Sequence, residues 1–125
     1  MEFKIDTNKN YTVLTPQNRL FDEKMAEAIT QKWEALEVEG HKNLIIDLSV
    51  CEGISENIMD TIVAMHEAFY NDNHSLVFTE LQPQLRNSLV SHEYFHAINI
   101  APTMIEAVDI VSMESLEREL LEGEE

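Results

Sequence analysis

The sequence predicts an α/β fold that opens with a β-hairpin and continues with alternating helices and strands. Two segments with strand-like alternation, "EFKID" and "YTVLTP", flank the polar turn "TNKN", which is the pattern of a hairpin. After them, apolar runs of strand length alternate with stretches whose apolar residues recur every three or four positions. The resulting order, ββαβαβαβα, indicates right-handed crossovers and a mixed sheet of four or five strands, with the helices mainly on one face.

The first helix is predicted from about residue 22 to residue 39. Asp22 is a suitable N-cap by side-chain type, and Gly40 suits the left-handed position just after the helix. Trp33 lies on the apolar stripe of this helix, which indicates core packing. The run "NLIIDL" that follows is apolar at nearly every position, which predicts a strand buried on both faces.

The second helix is predicted from about Ser55 to Asn71, after the loop "SVCEG". The remaining elements are the strand "SLVFTEL", the helix "QPQLRNSLVSHE", the short strand "AINI" and the helix "TMIEAVDIVS". The final segment, "MESLERELLEGEE", predicts one or two further amphipathic turns followed by fraying. We therefore expect one domain at 3–111 and an acidic amphipathic C-terminal extension at 112–125.

Charge and composition narrow the partners that the chain can have. Its 125 residues suffice for one domain, and its formal net charge is -16. Repulsion from phosphates argues against nucleic acid and against anionic membrane surfaces. No apolar run approaches the ~20 residues of a membrane span, and the N-terminus has no signal-peptide pattern, so we expect a cytoplasmic protein. Cys51 is the only cysteine, which leaves no internal disulfide, and no nearby basic residue lowers the pKa of its thiol.

The segment "HEYFH" matches the H-E-x-x-H pattern of zinc proteases, with His92 and His96 as metal ligands and Glu93 as base. Glu114 or Glu117 could supply a third ligand. The pattern requires a continuous helix, because only there do positions i and i+4 place both imidazoles on one metal. The segment falls where the chain must leave a helix and reach the strand "AINI", and we expect Tyr94 and Phe95 to close the edge of the core. We therefore predict no metal site.

Physical chemistry alone accounts for the polar residues at the start of the second helix. Ser55 is a good N-cap, which stabilises a helix by about 1 kcal/mol. Glu56 would lie in the first turn, where the helix dipole favours a carboxylate by roughly 0.3–1 kcal/mol. No phosphate-binding, dinucleotide-binding or complete nucleophile-elbow motif accompanies them. These residues predict no enzymatic activity and no cofactor.

Nearly the whole chain, from Phe3 to about Val111, resembles a STAS domain, the module of anti-sigma factor antagonists and sulfate transporters. The stretches that carry the resemblance are "NLIIDLS", "ISENIMDTIVAMHEAFYNDNHSLVFTEL", "QPQLRNSL" and "INIAPTMIEAVDIV". The likeness is strongest to small stand-alone bacterial antagonists with an acidic tail. It implies a STAS-like fold for the predicted sheet and helices.

The resemblance also implies a site at the start of the second helix, where the family carries a D-S-[ST]-G signature whose first serine is phosphorylated. Without gaps, Ser55 takes the place of the signature Asp, Glu56 that of the phosphorylated serine, Asn57 that of the second hydroxyl residue and Ile58 that of the glycine. A shift of one residue would make Ser55 the phosphoacceptor instead, at the cost of a gap. We favour the ungapped alignment, in which the phosphorylation motif is degenerate.

The function implied by the resemblance is that of a non-catalytic interaction module in transcription regulation. Its partner would be an anti-sigma factor or a related serine kinase. In that family, the unphosphorylated antagonist binds the kinase, and phosphorylation ends the binding. Glu56 would act as a permanent mimic of the phosphorylated state or would permit constitutive binding. The alternative is a STAS domain that senses a small molecule or acts as a scaffold. Self-association through the first strand or the "MESLERELL" segment also remains open. The predicted partner-binding residues are Gly53, Ile54, Ser55, Glu56, Asn57 and Ile58.

Overall fold

A computed structural model of the chain, which describes residues 2–123, contains a five-stranded mixed sheet and four α-helices. The main sheet has the spatial order β1-β2-β4-β6-β7, with β1 antiparallel to β2 and all other neighbours parallel. A separate parallel pair joins β3 to β5. The elements are β1 (Phe3–Thr7), β2 (Thr12–Pro16), β3 (Leu20–Phe21), α1 (Glu23–Val38), β4 (Asn43–Asp47), β5 (Gly53–Ile54), α2 (Ile58–Asn71), β6 (Ser75–Thr79), α3 (Pro83–Val90), a 3₁₀ turn (Phe95–Ala97), β7 (Ile100–Ala101) and α4 (Met104–Gly123).

The two faces of the sheet carry separate cores, and this arrangement confirms the predicted fold class. Helices α1, α2 and α3 cover one face, where Leu14, Ile46 and Phe78 from the central strands lie in the larger core. Helix α4 covers the other face, where Ile45 and Val77 pack with its buried residues. The alternation follows from the pleat of the strands, which turns successive side chains to opposite faces.

Helix α1 has the ends that the sequence predicts. The Asp22 carboxylate accepts a hydrogen bond from the Met25 backbone N–H at 2.9 Å, as an N-cap does. Gly40 has a φ of 98°, a left-handed conformation that glycine adopts without strain. Trp33 is buried, and its ring centroid lies 4.8 Å from that of Phe69 on α2. The prediction that Trp33 belongs to the core is confirmed.

Helix α2 begins three residues later than predicted, because the chain before it is held as a strand. Gly53 and Ile54 pair with Leu20 and Phe21 as β5 and β3. The Ser55 backbone N–H then continues this pairing with a hydrogen bond to the Phe21 carbonyl at 2.9 Å. The prediction that Ser55 caps α2 is therefore wrong. Two-residue strands are too short to leave a periodic pattern in the sequence, and β3 and β5 were not predicted.

Helix α3 also differs from its prediction, since it ends at Val90 rather than continuing through Glu93. The chain then makes a turn and the short 3₁₀ helix before reaching β7. Strand β7 consists of Ile100 and Ala101, so the predicted strand "AINI" is shifted towards the C-terminus. Strand β7 pairs with β6 only at Phe78 and Thr79.

Helix α4 is one uninterrupted helix of 20 residues, longer than the two segments predicted for this part of the chain. The Arg118 guanidinium donates hydrogen bonds of 3.0 Å to the Asn43 side-chain oxygen and to the Ser75 hydroxyl, at the first residues of β4 and β6. These contacts attach the second half of the helix to the sheet. The helix crosses the predicted boundary at 111 without a break, and the division into a domain and an extension stays a prediction, with residues 124 and 125 outside the described range. Within residues 2–123, no helix is long and apolar enough to cross a membrane.

Candidate functional site

The loop between β4 and α2 is fixed by hydrogen bonds to the segment before α1. The Cys51 thiol donates to the Asn18 carbonyl at 3.2 Å, and the Glu52 backbone N–H donates to the Arg19 carbonyl at 2.7 Å. On the other side, the Gln82 side-chain amide donates to the Ser49 carbonyl at 2.8 Å. The loop therefore has a defined conformation that presents the start of α2.

The Cys51 side chain belongs to this support and not to a reactive site. It is fully buried, and burial together with the Asp47 charge raises the pKa of the thiol to about 11. A thiol with so high a pKa is almost entirely protonated at neutral pH, and the thiolate is the nucleophilic form. The structure thus gives no support for a reactive cysteine here.

A tight turn leads from this loop into α2. The Ile58 backbone N–H donates to the Ser55 carbonyl at 3.3 Å, which closes the turn. Asn57 has a φ of 67°, in the left-handed region, where Asn is enriched among residues other than Gly. Asn57 makes no side-chain hydrogen bond that caps α2.

The predicted site residues differ strongly in their exposure. Glu56 and Asn57 are exposed, and Gly53, Ile54 and Ser55 are half-buried. The hydroxyl of Ser55 itself is inaccessible and has no hydrogen-bond partner. Ile58 has no exposed surface and packs in the larger core, so its side chain is not accessible to a partner.

The turn forms one wall of an open groove of about 500 Å³. Its other wall is the end of α3 and the segment that follows. Sequence reasoning did not associate these two segments, because they are about 30 residues apart in the chain and no motif includes both. The lining residues are Ile54, Ser55, Glu56, Asn57, Met59, Asp60, Ser88, Ser91, His92, Glu93 and Tyr94.

The groove is acidic. Glu56, Asp60 and Glu93 line it, and no Lys or Arg does. Tyr94 is about half exposed, with 49% of its surface accessible, and the Glu93 carboxylate together with Asp60 raises the pKa of its hydroxyl. The expectation that Tyr94 would close the core edge is wrong, whereas Phe95 does pack against the larger core. An exposed aromatic side chain beside several carboxylates is a surface suited to a cationic partner.

The groove does not have the geometry of a zinc-protease site. His92 lies after the end of α3 and His96 in the 3₁₀ turn, so the two imidazoles are not on one continuous helix. Glu114 is engaged elsewhere, accepting a hydrogen bond of 2.6 Å from the Tyr70 hydroxyl. Among residues 2–123, no three His, Cys, Asp or Glu side chains are grouped closely enough to hold a metal ion.

Comparison with known proteins assigns the fold to a family. The family model described as "STAS domain" matches residues 2–107, which is most of the chain. The chain belongs to the STAS domain family. No curated protein matches this STAS domain significantly in sequence.

Several solved structures share the fold at low sequence identity. A candidate anti-sigma factor antagonist from Thermotoga maritima is 18% identical, with a TM-score of 0.71 over 88% of this chain and 94% of that one. An anti-sigma factor antagonist from Mycobacterium paratuberculosis is also 18% identical, with a TM-score of 0.67 over 89% and 93%. RsbS from Moorella thermoacetica, solved as a serine-to-glutamate variant, is 17% identical, with a TM-score of 0.60 over 89% and 97%. The similarity covers nearly the full length of these small proteins and establishes the fold.

Proposed function

We propose that this STAS domain is a non-catalytic interaction module of the anti-sigma factor antagonist kind, in which Glu56 stands where the family has its phosphorylated serine. The observation that carries the proposal is the position of Glu56, exposed on the rim of an acidic groove at the start of α2. Its partner is an anti-sigma factor or a related serine kinase. The structural similarity to small antagonists along nearly their full length supports this class of partner.

Two observations bear on which residue corresponds to the phosphoacceptor, and they point in opposite directions. The left-handed conformation of Asn57 is one that glycine favours, and the alignment shifted by one residue gives Asn57 the place of the signature glycine. The buried Ser55 hydroxyl argues against that alignment, since a kinase needs an accessible oxygen to transfer phosphate to it. We give more weight to the accessibility of the hydroxyl, because phosphate transfer to Ser55 requires it. The left-handed backbone is less decisive, because Asn adopts that conformation whichever alignment is correct.

Glu56 makes the interaction independent of phosphorylation. A glutamate cannot accept a phosphoryl group, and it carries one fixed charge, compared with about 1.5 to 2 on a phosphoserine. Together with Asp60 and Glu93, it presents a constant negative surface to the partner. The partner's complementary surface is therefore basic, and its encounter with this groove is favoured by electrostatic steering at low salt.

The groove provides a charge-matched test of this proposal. The double variant Glu56→Lys, Glu93→Lys reverses two charges of the groove at residues that do not belong to a helix. The control Glu27→Lys, Glu34→Lys makes the same change on the exposed side of α1. Binding to a purified kinase-type anti-sigma factor from the same cell is measured by calorimetry. We expect the groove variant to bind at least about tenfold more weakly, or about 1.4 kcal/mol, and the control to bind nearly as the natural protein does.

The proposal fails if the natural protein binds none of the kinase-type anti-sigma factors of its own cell. It also fails if the groove variant and the α1 control bind equally well. In the second case, a complex exists but is formed by another surface. Circular dichroism of both variants establishes that each is folded before binding is compared.

A second candidate function rests on the size of the same groove. About 500 Å³ lies within the range of small-molecule sites, roughly 300–1,000 Å³. Three carboxylates and an aromatic ring would suit an organic cation. Calorimetric titration with spermidine tests this second function, the sensing of a small molecule. Saturable binding that the double variant Glu56→Lys, Glu93→Lys abolishes would favour it. The absence of measurable heat would remove its support.

A further inference from the structure

Helix α4 carries a second set of apolar side chains on the side that faces away from the sheet. Its inner side is occupied by Ala107 and Val111, which are fully buried against the central strands. Five large apolar residues of the helix expose between 55% and 76% of their surface, and all but Leu121 lie on the outer side, namely Ile105, Met113, Leu116, Leu120 and Leu121. Because the core does not use these residues, they call for another explanation.

Three of them form a continuous row along the helix axis. Met113, Leu116 and Leu120 are spaced by three and four residues, which is the spacing of the a and d positions in a helix–helix seam. The row extends over about 10 Å, at 1.5 Å per residue. Single exposed apolar residues are common on protein surfaces, but a row at this spacing has the form of a docking surface for another helix.

The charges around this row decide what kind of helix can dock there. If Met113 and Leu120 take a positions and Leu116 a d position, Glu117 and Glu119 take the flanking e and g positions. The one basic residue of α4, Arg118, is directed inward to Asn43 and Ser75 and does not balance them. The acidic residues of α4 are Glu106, Asp109, Glu114, Glu117, Glu119 and Glu122.

A second copy of the chain is poorly suited to this surface. Two α4 helices packed along the row would bring acidic flanks against acidic flanks, and like charges at these positions oppose pairing. A helix with Lys or Arg in its flanking positions would instead meet Glu117 and Glu119 with opposite charge. Charge complementarity therefore favours a basic amphipathic helix as the occupant.

We propose that the row formed by Met113, Leu116 and Leu120 docks a basic amphipathic helix of a partner protein. Apolar side chains of that helix cover the row, and its flanking Lys or Arg side chains lie against the two glutamates. The row lies on the face of the sheet opposite to α1, α2 and α3, so it is separate from the groove at the start of α2. Docking at this row therefore does not depend on the function proposed for the groove.

A designed peptide takes the place of the partner helix in a test of this surface. The probe is a fluorescent synthetic helix of about three heptads, with Leu at a and d and Lys at e and g. A matched peptide has Glu in place of Lys. Fluorescence anisotropy measures binding of each peptide to the natural protein and to three variants. Two variants alter the row: the double variant Leu116→Ser, Leu120→Ser and the single variant Met113→Ser. The third variant is Val38→Ser. Val38 is an exposed apolar residue of α1 and serves as the control.

We expect the Lys peptide to bind and the Glu peptide not to bind. The double variant should weaken Lys-peptide binding at least about tenfold, Met113→Ser should weaken it less, and Val38→Ser should leave it unchanged. The serine variants keep the net charge, so a loss of binding comes from the apolar row and not from general attraction to an acidic protein.

Three results would overturn the proposal. The first is the absence of Lys-peptide binding to the natural protein. The second is equal binding to the natural protein and to the double variant. The third is a dimer of the natural protein in sedimentation that the double variant dissociates, because a second copy would then be the occupant.

Discussion

At the residue scale, Ser55 and Glu56 are neighbours in the chain with opposite environments. The Ser55 hydroxyl is enclosed and unpaired, and the Glu56 side chain is exposed. The sequence predicted a site in this short segment, and side-chain type alone assigned Ser55 to the cap of α2, which the structure contradicts. The actual start of the helix depends on the pairing of β5 with β3, which is a tertiary contact that the local sequence does not encode.

The environment of Ser55 gives a first prediction. Replacing Ser55 with Ala removes a buried polar group that has no partner, so we expect the free energy of unfolding to stay the same or to rise by up to about 1 kcal/mol. Urea denaturation measures the change. A fall of about 0.5–2 kcal/mol would be the result for a serine that caps a helix, and it would contradict the structure at this turn.

The left-handed backbone at Asn57 gives a second prediction. Asn57→Ala should lower the free energy of unfolding by about 1 kcal/mol, because a Cβ without a compensating polar group is unfavourable in this conformation. Asn57→Gly should change it by less than about 0.5 kcal/mol. Asn71→Ala, at the exposed last residue of α2, is the control and should not be destabilising. Equal effects of the two Ala substitutions would show that residue 57 is not held in the left-handed region.

At the scale of the elements, the long periodic segments were predictable and the irregular ones were not. Helices α1 and α2 have clear apolar stripes, and their C-terminal ends fall within a residue or two of the predicted positions. The segment from Ser91 to Asn99 contains no periodicity, and its turn and 3₁₀ conformation depend on how Phe95 and Ile98 pack. For the same reason, the second wall of the groove could not be predicted from sequence.

The attachment of α4 to the sheet gives a third prediction. Arg118→Met keeps the apolar stem of the side chain and removes the hydrogen bonds to Asn43 and Ser75. We expect the free energy of unfolding to fall by about 1–3 kcal/mol, the usual range for hydrogen bonds of a charged donor. Glu117→Met, at an exposed residue about 100° around the same helix from Arg118, should change it by less than about 0.5 kcal/mol. Equal values for both variants would mean that α4 does not depend on this contact.

At the scale of the whole molecule, we expect stability against acid to depend in part on the half-buried His66. The His66 ring accepts a hydrogen bond from the Asn99 backbone N–H at 3.1 Å, which requires a neutral acceptor nitrogen. Burial lowers the pKa of His66 below its ordinary value of 6.5, and the Glu114 and Glu67 charges only partly oppose this effect. The unfolded chain therefore binds more protons than the folded protein as the pH falls below that value.

The sign of this difference gives a fourth prediction. The contribution of His66 is fully present above about pH 6.5 and is lost as the pH falls towards its lower folded pKa. We expect the free energy of unfolding to decrease between pH 7.5 and pH 5.5, and His66→Gln to make this decrease smaller. His92→Gln, at an exposed histidine, is the control. Identical pH dependence in both variants and the natural protein would exclude this role for His66.

The overall architecture was predictable because the alternation of strands and helices restricts how a chain of this size can pack. The same alternation did not show that α4 would cover the second face alone, or that its outer side would expose an apolar row. The length of α4 lets it cover this face alone. The hydrogen bond of Arg118 to Asn43 at the start of β4 fixes which side of the helix faces inward, and the apolar row is on the opposite side. The molecule thus has two candidate interaction surfaces on opposite faces, one acidic and polar and the other acidic and apolar.

If Glu56 stands in the place of the phosphorylated serine, as we claim, a kinase can transfer phosphate to position 56 only when a hydroxyl is restored there. The natural protein, Glu56→Ser, Ser55→Ala and the double variant are each incubated with ATP and a kinase-type anti-sigma factor from the same cell, and phosphate is located by mass spectrometry of the peptides. We predict no phosphate on the natural protein and one phosphate on residue 56 of Glu56→Ser, with or without Ser55. A phosphate on Ser55 of the natural protein, or none on a Glu56→Ser protein that the kinase binds, would contradict the claim.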